Sequence, residues 1–233
     1  MIAIRRSAER GHLDHGWLDT YHTFSFASYY DPEHMGFRSL RVINDDTIQG
    51  RRGFGTHGHR DMEIITYVLE GALAHRDSTG GGGVLGPGDV QYMSAGTGVR
   101  HSEFSDSDQP TRLLQIWIEP EREGLPPAYS QTNFPDAEKR NRLRLIVGKP
   151  ATNGALPIHQ DAMVFASVLE EGKSVTYEPS EGRYAWLQVA TGAVKLNGQL
   201  LHTGDGAAIT KETKLEIVGA ADEDSEFLLF DLA

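Results

Sequence analysis

Cysteine is absent from this chain of 233 residues. Its absence excludes disulfide bonds, thiolate metal ligands and a catalytic thiol, and it is typical of a reducing compartment. The opening stretch, MIAIRRSAERGHLDHG, has no apolar run after its arginines, so it does not resemble a secretory signal. No later stretch is long and apolar enough to span a membrane. We therefore predict a cytoplasmic protein that does not bind membranes.

Basic residues are outnumbered by acidic ones, 22 against 33, which gives a formal net charge of −11. Because such a chain is repelled by phosphate backbones, we expect no direct contact with nucleic acid. Segments with a helical period of useful length are missing as well. The sequence has instead 26 glycines and many short strand-like runs. Together these predict an all-β fold, either a sandwich or a barrel.

Two pairs of polar residues carry the clearest chemical pattern. His57 and His59 lie two residues apart, and His101 and Glu103 repeat that spacing in a second strand-like segment. Side chains at i and i+2 of a strand point to the same face, with their Cα atoms about 6.6 Å apart. If the strands are neighbours, three imidazoles and a carboxylate converge, and these ligands suit divalent transition metals. One pair alone would favour a polar rim on a half-exposed strand, whereas two pairs favour a metal site.

The remaining polar residues of the first half have mainly structural interpretations. His22 has no ligand-type partner two residues away, which favours a hydrogen-bonded structural histidine. The run 44–46, Asn-Asp-Asp, predicts a turn, with the lining of a pocket as the alternative. His75 and Asp77 form a pair with no second pair attached, which is typical of a solvated strand face. The glycine-rich stretch 78–84 is predicted to be a flexible loop tip.

The second half of the chain resembles the first. The stretch TYVLEGALAHRDS matches LQVATGAVKLNGQ, so that Gly71 corresponds to Gly192, and the turn 88–89 corresponds to 204–205. Between the halves, residues 120–142 contain four prolines and many charges, which predicts an inter-domain connection. We therefore predict an N-terminal domain over residues 1–135 and a C-terminal domain over residues 136–233.

The offsets of this repeat also show which residues of the second half correspond to the candidate metal ligands of the first half. They place Glu178 and Ser180 opposite the first histidine pair, and Ile217 and Gly219 opposite the second ligand pair. The C-terminal domain is thus expected to keep the scaffold without the ligands, so that the chain binds one metal. Its histidines, His159 and His202, are expected to be structural or surface residues.

Four stretches resemble the pirin family, and within it the bacterial pirin-like proteins with quercetin 2,3-dioxygenase activity: HGWLDTYHTFSFASYYDPEHMGFRSLRVINDD, GFGTHGHRDMEIITYVLEG, GDVQYMSAGTGVRHSE and LLQIWIEP. The resemblance implies a bicupin, which is two tandem cupin β-barrels of the jelly-roll type, with one metal in the N-terminal barrel. It implies the ligands His57, His59, His101 and Glu103. The metal is expected to be Fe(II), with Mn, Co, Ni, Cu and Zn as alternatives.

The carboxylate ligand has a second candidate. The general cupin pattern takes it from the first motif, where Glu63 sits four residues after His59. The pirin pattern takes it from the second motif, which is Glu103 here. Strand parity does not separate the two glutamates, because both share a face with the histidines. We follow the pirin pattern and expect Glu63 to be a polar or structural residue beside the site.

The resemblance also implies a reaction. A flavonol such as quercetin and dioxygen would be the substrates, the ring would be cleaved with release of carbon monoxide, and Glu103 is the candidate base. The alternative is a non-enzymatic, iron-binding and redox-responsive regulator that acts through protein partners. A purely structural metal is the weakest interpretation, because structural sites tend to be closed. A monomer is expected.

Overall fold

The computed structural model describes every residue of the chain, 1–233, and almost all regular structure is strand. The two helical segments are a 3-10 helix, Ser7–Glu9, and the single α-helix α1, Asp136–Lys139. This confirms the predicted all-β class. Neither helix has the length or the apolar character that crossing a membrane requires.

The first twelve strands are β1 (Ile2–Arg5), β2 (Gly11–Asp14), β3 (Leu18–His22), β4 (Leu40–Ile48), β5 (Gly53–His59), β6 (Glu63–Glu70), β7 (Leu73–Asp77), β8 (Gly82–Leu85), β9 (Asp89–Ser94), β10 (Val99–Ser105), β11 (Thr111–Ile118) and β12 (Ala128–Asn133). The last ten are β13 (Arg144–Gly148), β14 (Leu156–Pro157), β15 (Ala162–Leu169), β16 (Ser174–Tyr177), β17 (Tyr184–Thr191), β18 (Ala193–Leu196), β19 (Gln199–His202), β20 (Gly206–Ile209), β21 (Leu215–Gly219) and β22 (Ser225–Leu232).

The strands form two compact units. The first unit comprises Gly11–Asn133 and Leu156–Gln160, and the second comprises Met1–Arg10, Phe134–Ala155 and Asp161–Ala233. Strand β1 belongs to the second unit because it pairs with β20. Strand β12 lies inside the stretch expected to be an inter-domain connection, and it pairs with β9 as an edge strand of the first unit. Its alternation of partly buried and exposed residues was masked in the sequence by the neighbouring prolines.

The first unit contains two antiparallel sheets. The larger has the strand order β12-β9-β6-β11-β4-β3-β2, and the smaller has the order β5-β10-β7-β8. Apolar residues at the inward positions of both sheets form a shared core: Leu18, Ile48, Val68, Leu73, Leu85 and Leu113. Because the smaller sheet contributes two of these and the larger sheet four, the core lies between the sheets, as in a sandwich.

The second unit repeats this arrangement. Its smaller sheet has the order β16-β21-β18-β19, which is the same order of succession as β5-β10-β7-β8. Its larger sheet includes β1-β20-β17-β22-β15-β13. The matched glycines adopt the same left-handed backbone, with φ of 78° at Gly71 and 73° at Gly192, and 82° at both Gly88 and Gly204. A residue with a side chain is strained in that conformation, so the repeat keeps glycine where the turn requires it.

Strand register corrects the residue correspondence that was predicted from the offsets. Leu73 and Val194 are equivalent, because each lies two residues after a matched glycine. Leu73 pairs with Ser105 on β10, and Val194 pairs with Gly219 on β21. The equivalents of His101 and Glu103 are therefore Leu215 and Ile217. The expected pair, Ile217 and Gly219, is two residues too far along, because the segment after the second glycine-aspartate turn is shorter.

The first histidine pair needs a correction of one residue. Across the small sheets, His101 faces His57, and Leu215 faces Tyr177. Tyr177 and Pro179 therefore take the places of His57 and His59, in place of the expected Glu178 and Ser180. None of these equivalents carries an imidazole or a carboxylate.

Candidate metal centre

Strands β5 and β10 bring three histidines together. The strands are antiparallel neighbours, with His57 directly opposite His101. The ring centroids are 4.3 Å apart for His57 and His101, and 4.8 Å apart for His59 and each of the other two. One ring nitrogen from each histidine lies within 4.8 Å of the others. The spacing of two residues, together with this strand pairing, produces the convergence that the sequence predicted.

All three imidazoles can present a lone pair. Burial, with a smaller contribution from His57, lowers the pKa of His59 to about 4. Burial, followed by the charges of the neighbouring histidines, lowers the pKa of His101 to about 3. Neutral rings are the form that ligates metals. His57 Nδ1 lies 2.8 Å from the carbonyl oxygen of Gly55; as the donor of that bond, it leaves Nε2 as the lone-pair atom.

The His101 Nε2 atom indicates whether a metal would fit this cluster. His101 Nε2 is buried and has no hydrogen-bond partner among the protein atoms. A buried polar atom without a partner costs free energy on the order of 1–3 kcal/mol. Coordination of a cation would satisfy that atom, and imidazole is a preferred ligand for first-row transition metals. The donor set therefore fits a divalent metal.

Glu103 lies two residues beyond His101 on the same face of β10. It is buried, and its carboxylate groups with ring nitrogens of His75 and His101 in a second set of converging ligand atoms. Its only hydrogen-bond donor among the protein side chains is the amide of Gln115, at 3.4 Å. Burial, with the charge of Asp46 as the next cause, raises the pKa of Glu103 to about 7. A cation in the adjacent cavity would compensate this buried carboxylate.

Glu63 is placed differently. It is fully buried at the start of β6, and its two carboxylate oxygens accept hydrogen bonds from the Tyr92 hydroxyl, the Ser94 hydroxyl at 2.6 Å and the His159 backbone N–H at 2.9 Å. Burial and this bond to Glu63 raise the pKa of Tyr92. Glu63 does not line the cavity beside the histidines. Its interactions are those of a structural carboxylate that holds Leu156–Gln160 within the first unit.

A β-bulge shapes the wall beside the histidines. Between the pairs His101–His57 and Glu103–Phe54, two residues of β5 oppose one residue of β10. Phe54 lies three residues before His57 and would face away from it in a regular strand. The extra residue reverses the parity, so that Phe54 and His57 line the same cavity. The bulge also supplies the Gly55 carbonyl that accepts the His57 Nδ1–H hydrogen bond.

The cavity beside the histidines has aromatic and polar walls. Its volume is about 180 Å³, and it is lined by Phe26, Asn44, Asp46, Phe54, His57, His59, Ile64, Glu103, Gln115 and Trp117. A second cavity of about 340 Å³, with largely apolar walls, shares four of these residues, namely Phe26, Asn44, Asp46 and Phe54. The two cavities are therefore adjacent and share the walls formed by these four side chains.

One interpretation of polar residues in the first half is wrong, and one is confirmed. Residues 44–46 do not form a turn, because β4 runs through them; Asn44 and Asp46 line the cavities, which was the alternative. Burial and the neighbouring charge of Asp45, opposed by a hydrogen bond from Thr20, raise the pKa of Asp46 to about 7. His22 is buried and hydrogen-bonded to Asn44 at 2.7 Å, as a structural histidine should be.

The pair His75 and Asp77 is not a solvated strand face. Both side chains have no exposed area, and His75 Nε2 lies 3.2 Å from Asp77 Oδ2. His75 also stacks on the ring of Tyr129, with centroids 5.0 Å apart and planes at 16°. The sequence pattern misled because the strand that covers this face, β12, was not anticipated.

Gln115 and Trp117 were not singled out from the sequence. Both lie on β11, two residues apart, and the edge of the Trp117 ring approaches His59 with centroids at 4.9 Å. A signal was available, because a glutamine inside an otherwise apolar strand points to a polar neighbour. The identity of that neighbour, Glu103, depends on the fold.

Comparisons with known proteins agree with this geometry. A family model described as Pirin matches residues 3–118, and a model described as Quercetinase C-terminal cupin domain matches residues 145–232. A protein of Escherichia coli strain K12 named quercetin 2,3-dioxygenase is 48% identical over 233 residues, covering 100% of this chain and 99% of that protein. A pirin-like protein of Caulobacter vibrioides is 45% identical over 234 residues, covering 100% of both chains.

Solved structures extend the comparison to the metal. The crystal structure of the bacterial pirin YhhW from Escherichia coli in complex with nickel(II) is 47% identical in sequence and superposes with a TM-score of 0.93. The match covers 100% of this chain and 99% of that one. The nickel complex and the histidine–glutamate cluster together support a divalent-metal site, and the predicted bicupin fold is confirmed. This chain belongs to the pirin family.

Proposed function

We propose that this protein is a metal-dependent dioxygenase of the pirin type, which cleaves flavonols such as quercetin with dioxygen and releases carbon monoxide. The observation that carries the proposal is the meeting of three imidazoles and a buried carboxylate at a cavity with aromatic walls. The names of the relatives that are similar over the whole chain support the same activity.

We propose His57, His59, His101 and Glu103 as the ligands of one divalent transition metal. Fe(II) is the proposed ion, and Mn, Co, Ni, Cu and Zn also suit imidazole and carboxylate. When bound, such an ion supplies Lewis-acid polarisation of a substrate oxygen and holds the reactants together. The buried Nε2 atom of His101, which has no protein partner, and the buried charge of Glu103 support this ligand set.

The two adjacent cavities suit a substrate made of two ring systems. A flavonol consists of a fused bicycle joined by one bond to a phenyl ring, and each cavity would hold one of these parts. Phe26 and Phe54, at the junction, offer faces and edges for ring packing. Asn44 and Asp46, also at the junction, would bind phenolic hydroxyls, since each carries a carbonyl or carboxylate oxygen.

Glu103 is the proposed base. Its carboxylate lines the cavity in which the reacting hydroxyl would lie, and a positioned carboxylate oxygen can accept the proton of the flavonol 3-hydroxyl. The Gln115 amide, at 3.4 Å, would hold the carboxylate in place during that transfer. Trp117 and Phe26 pack edge to face with centroids 5.2 Å apart and help to exclude water from the same wall.

The experiment that tests this proposal measures carbon monoxide. The iron-loaded full-length protein, mixed with quercetin in air, should release carbon monoxide, and His57→Ala, His59→Ala and His101→Ala should abolish that release. His202→Ala is the matched control, because His202 is an exposed histidine of the second unit. Dioxygen consumption alone is insufficient, since quercetin autoxidises. If carbon monoxide does not exceed the free-metal control with any of the six metals, the regulatory alternative replaces the enzyme.

We also propose a cytoplasmic monomer whose partners are a polyphenol and dioxygen, with the metal in residues 1–135 and a metal-free barrel in residues 136–233. The lack of cysteine supports the compartment, and the net charge of −11 supports the absence of nucleic acid. Light scattering on the purified chain tests the monomer.

A further inference from the structure

A chain of three polar groups runs from the metal cluster into the small sheet of the first unit. His101 Nδ1 lies 3.5 Å from His75 Nδ1, which is long for a hydrogen bond, and His75 Nε2 lies 3.2 Å from Asp77 Oδ2. His75 and His101 are almost completely buried, at 1% and 2% exposure. Strand pairing creates the chain, because β7 and β10 are neighbours with Asp77 opposite His101 and His75 opposite Glu103.

The hydrogen-bond donors around Asp77 determine which atoms donate and which accept along these three side chains. Asp77 Oδ1 accepts from the Thr79 backbone N–H at 2.8 Å, the Thr79 hydroxyl at 2.6 Å and the Gly81 backbone N–H at 3.0 Å. Asp77 is therefore an acceptor, and the group that faces its Oδ2 atom, His75 Nε2, must donate. A neutral imidazole carries one N–H, so His75 Nδ1 has a lone pair directed at His101.

This arrangement of protons determines the tautomer of the proposed metal ligand His101. Because His75 Nδ1 accepts, His101 Nδ1 carries the proton, and His101 Nε2 is left with the lone pair. That Nε2 atom is the buried one without a protein partner. Metal-binding histidines commonly donate their second N–H to a carboxylate, a carbonyl or water, which fixes the tautomer and the ring orientation. Here a second imidazole would take that place and would itself be held by a carboxylate.

The surroundings hold the middle imidazole in place. The Tyr129 ring of β12 stacks on His75 at 5.0 Å. The loop at the end of β7 approaches so closely that a Cβ at Gly81 would lie 2.4 Å from Asp77 Oδ2 and 2.7 Å from the Tyr129 ring. The glycine-rich stretch predicted to be a flexible tip therefore contains a glycine that this close packing requires.

The internal repeat provides an independent comparison. By strand register, the equivalents of His101 and His75 in the second unit are Leu215 and Leu196, and counting on from Leu196 places Gly198, in the turn after β18, at the position of Asp77. One nearby scaffold interaction is kept, since Thr111 and its equivalent Ser225 make the same pair of hydrogen bonds with the backbone of Ala72 and Ala193, respectively. The copy that lacks the metal ligands thus also lacks the imidazole and the carboxylate behind them.

We propose that Asp77 and His75 are positioning residues for the metal: they set the tautomer and the ring orientation of His101, so that its Nε2 atom is presented to the ion. The inference rests on the proposed ligand set and does not depend on the flavonol reaction. It predicts a loss of metal affinity in variants that keep all four proposed ligands.

The test measures nickel(II) affinity by competition with a chelator, using the full-length protein stripped of metal. Asp77→Asn would offer an amide N–H to His75 Nε2, reverse the tautomer of His75 and place the His101 proton on Nε2. His75→Leu removes the acceptor and introduces the residue type of the second unit. Each variant should bind nickel(II) about 10–100-fold more weakly, the range observed when such outer partners are removed. His75→Gln keeps an acceptor oxygen and should bind clearly more tightly than His75→Leu.

A matched control lies in the same unit. His12 and Asp19 form a histidine–aspartate pair at 2.6 Å, and His12 stacks on Tyr21 with centroids 4.3 Å apart, but the pair does not contact the cluster. His12→Leu and Asp19→Asn should leave nickel(II) affinity unchanged. The ligand-field spectrum of the cobalt(II) form should change in Asp77→Asn and His75→Leu but not in the controls.

Failure of this inference differs from failure of the proposed function. If the wild-type protein binds no nickel(II), the proposed ligand set itself is wrong. Folded Asp77→Asn with wild-type affinity and spectrum would overturn the positioning role alone. If Asp77→Asn does not fold, equal affinities for His75→Gln and His75→Leu give the same negative result.

Discussion

The two candidate glutamates should respond to the same substitution in opposite ways. Glu63→Gln should lower stability and keep the metal, whereas Glu103→Gln should lose metal affinity and keep stability. Both changes preserve side-chain size and remove one buried carboxylate of the first unit. They differ in what surrounds the carboxylate, because Glu63 accepts three well-formed hydrogen bonds and Glu103 has only the Gln115 amide at 3.4 Å.

The magnitude for Glu63 follows from its donors. A glutamine oxygen can still accept from Tyr92 and the His159 N–H, but these bonds lose the carboxylate charge, and the new NH2 group faces the Ser94 hydroxyl, which must rotate to accept. Hydrogen bonds to charged groups contribute about 1.5–3 kcal/mol and neutral ones about 1 kcal/mol, so two weakened bonds cost about 2 kcal/mol. For a chain of this size, that corresponds to a fall in Tm of about 4–8 °C.

In the metal-free protein, Glu103→Gln is expected to leave stability unchanged or raise it, unlike Glu63→Gln, which lowers it. Burial of a charge with one long hydrogen bond is unfavourable, so Glu103→Gln should hold or raise the Tm of the metal-free chain. It should weaken metal binding, since a formal charge leaves the ligand set. Thermal melts with and without nickel(II), together with elemental analysis, measure both quantities. Loss of metal in Glu63→Gln with an unchanged Tm would refute the reasoning and return the site to the general cupin pattern.

Three further results are expected. Elemental analysis of the iron-loaded chain should give about one metal per chain, because Leu215 and Ile217 replace a histidine and a glutamate in the second unit; two tightly held ions would contradict this. Leu13→Trp, which fills the larger cavity, should raise KM for quercetin and spare a one-ring catechol, and an equal effect on both would argue against two adjacent subsites. Asp205→Asn should destabilise at pH 7. Burial acts to raise the pKa of Asp205, but donors from His202, Ser7 and Arg6 outweigh it and hold that pKa below 3.8. The stabilisation is therefore present above pH 3.8 and lost as pH falls through the lower folded-state pKa, so acid melts of variant and wild type should converge.

The sequence could predict which ligand candidates share a strand face because that information is local, whereas the meeting of the two pairs depends on the pairing of β5 with β10. In β10 the side chains of Val99, His101 and Glu103 are buried while those of Arg100 and Phe104 are exposed, which is the alternation expected of a strand with one inward face. A spacing of two residues is enough to place such residues together. The glycines of the repeated turns are local in the same sense, since they are required by a positive φ.

What the sequence could not predict depends on strand pairing over long separations. His75 meets His101 only because β7 lies beside β10, and Gln115 reaches Glu103 only because β11 occupies the facing sheet. The solvated interpretation of His75 and Asp77 failed because the cover comes from β12, more than fifty residues away in the chain. The repeat offsets were wrong by one residue for the first ligand pair and by two for the second, because loops change length while strands keep register.

The β-bulge in β5 makes the direction of one wall residue, Phe54, depend on the length of the segment before His57. Residues beyond it, from His57 onward, keep their register with β10, whereas Gly53 and Phe54 follow a register that depends on one extra residue. Removing one residue from the pair 55–56 would turn Phe54 away from the cavity while all four proposed ligand residues remain, and it would also disturb the Gly55 carbonyl that accepts the His57 Nδ1–H hydrogen bond. A change in chain length, rather than in residue type, would therefore reshape the cavity wall beside the four proposed ligand residues.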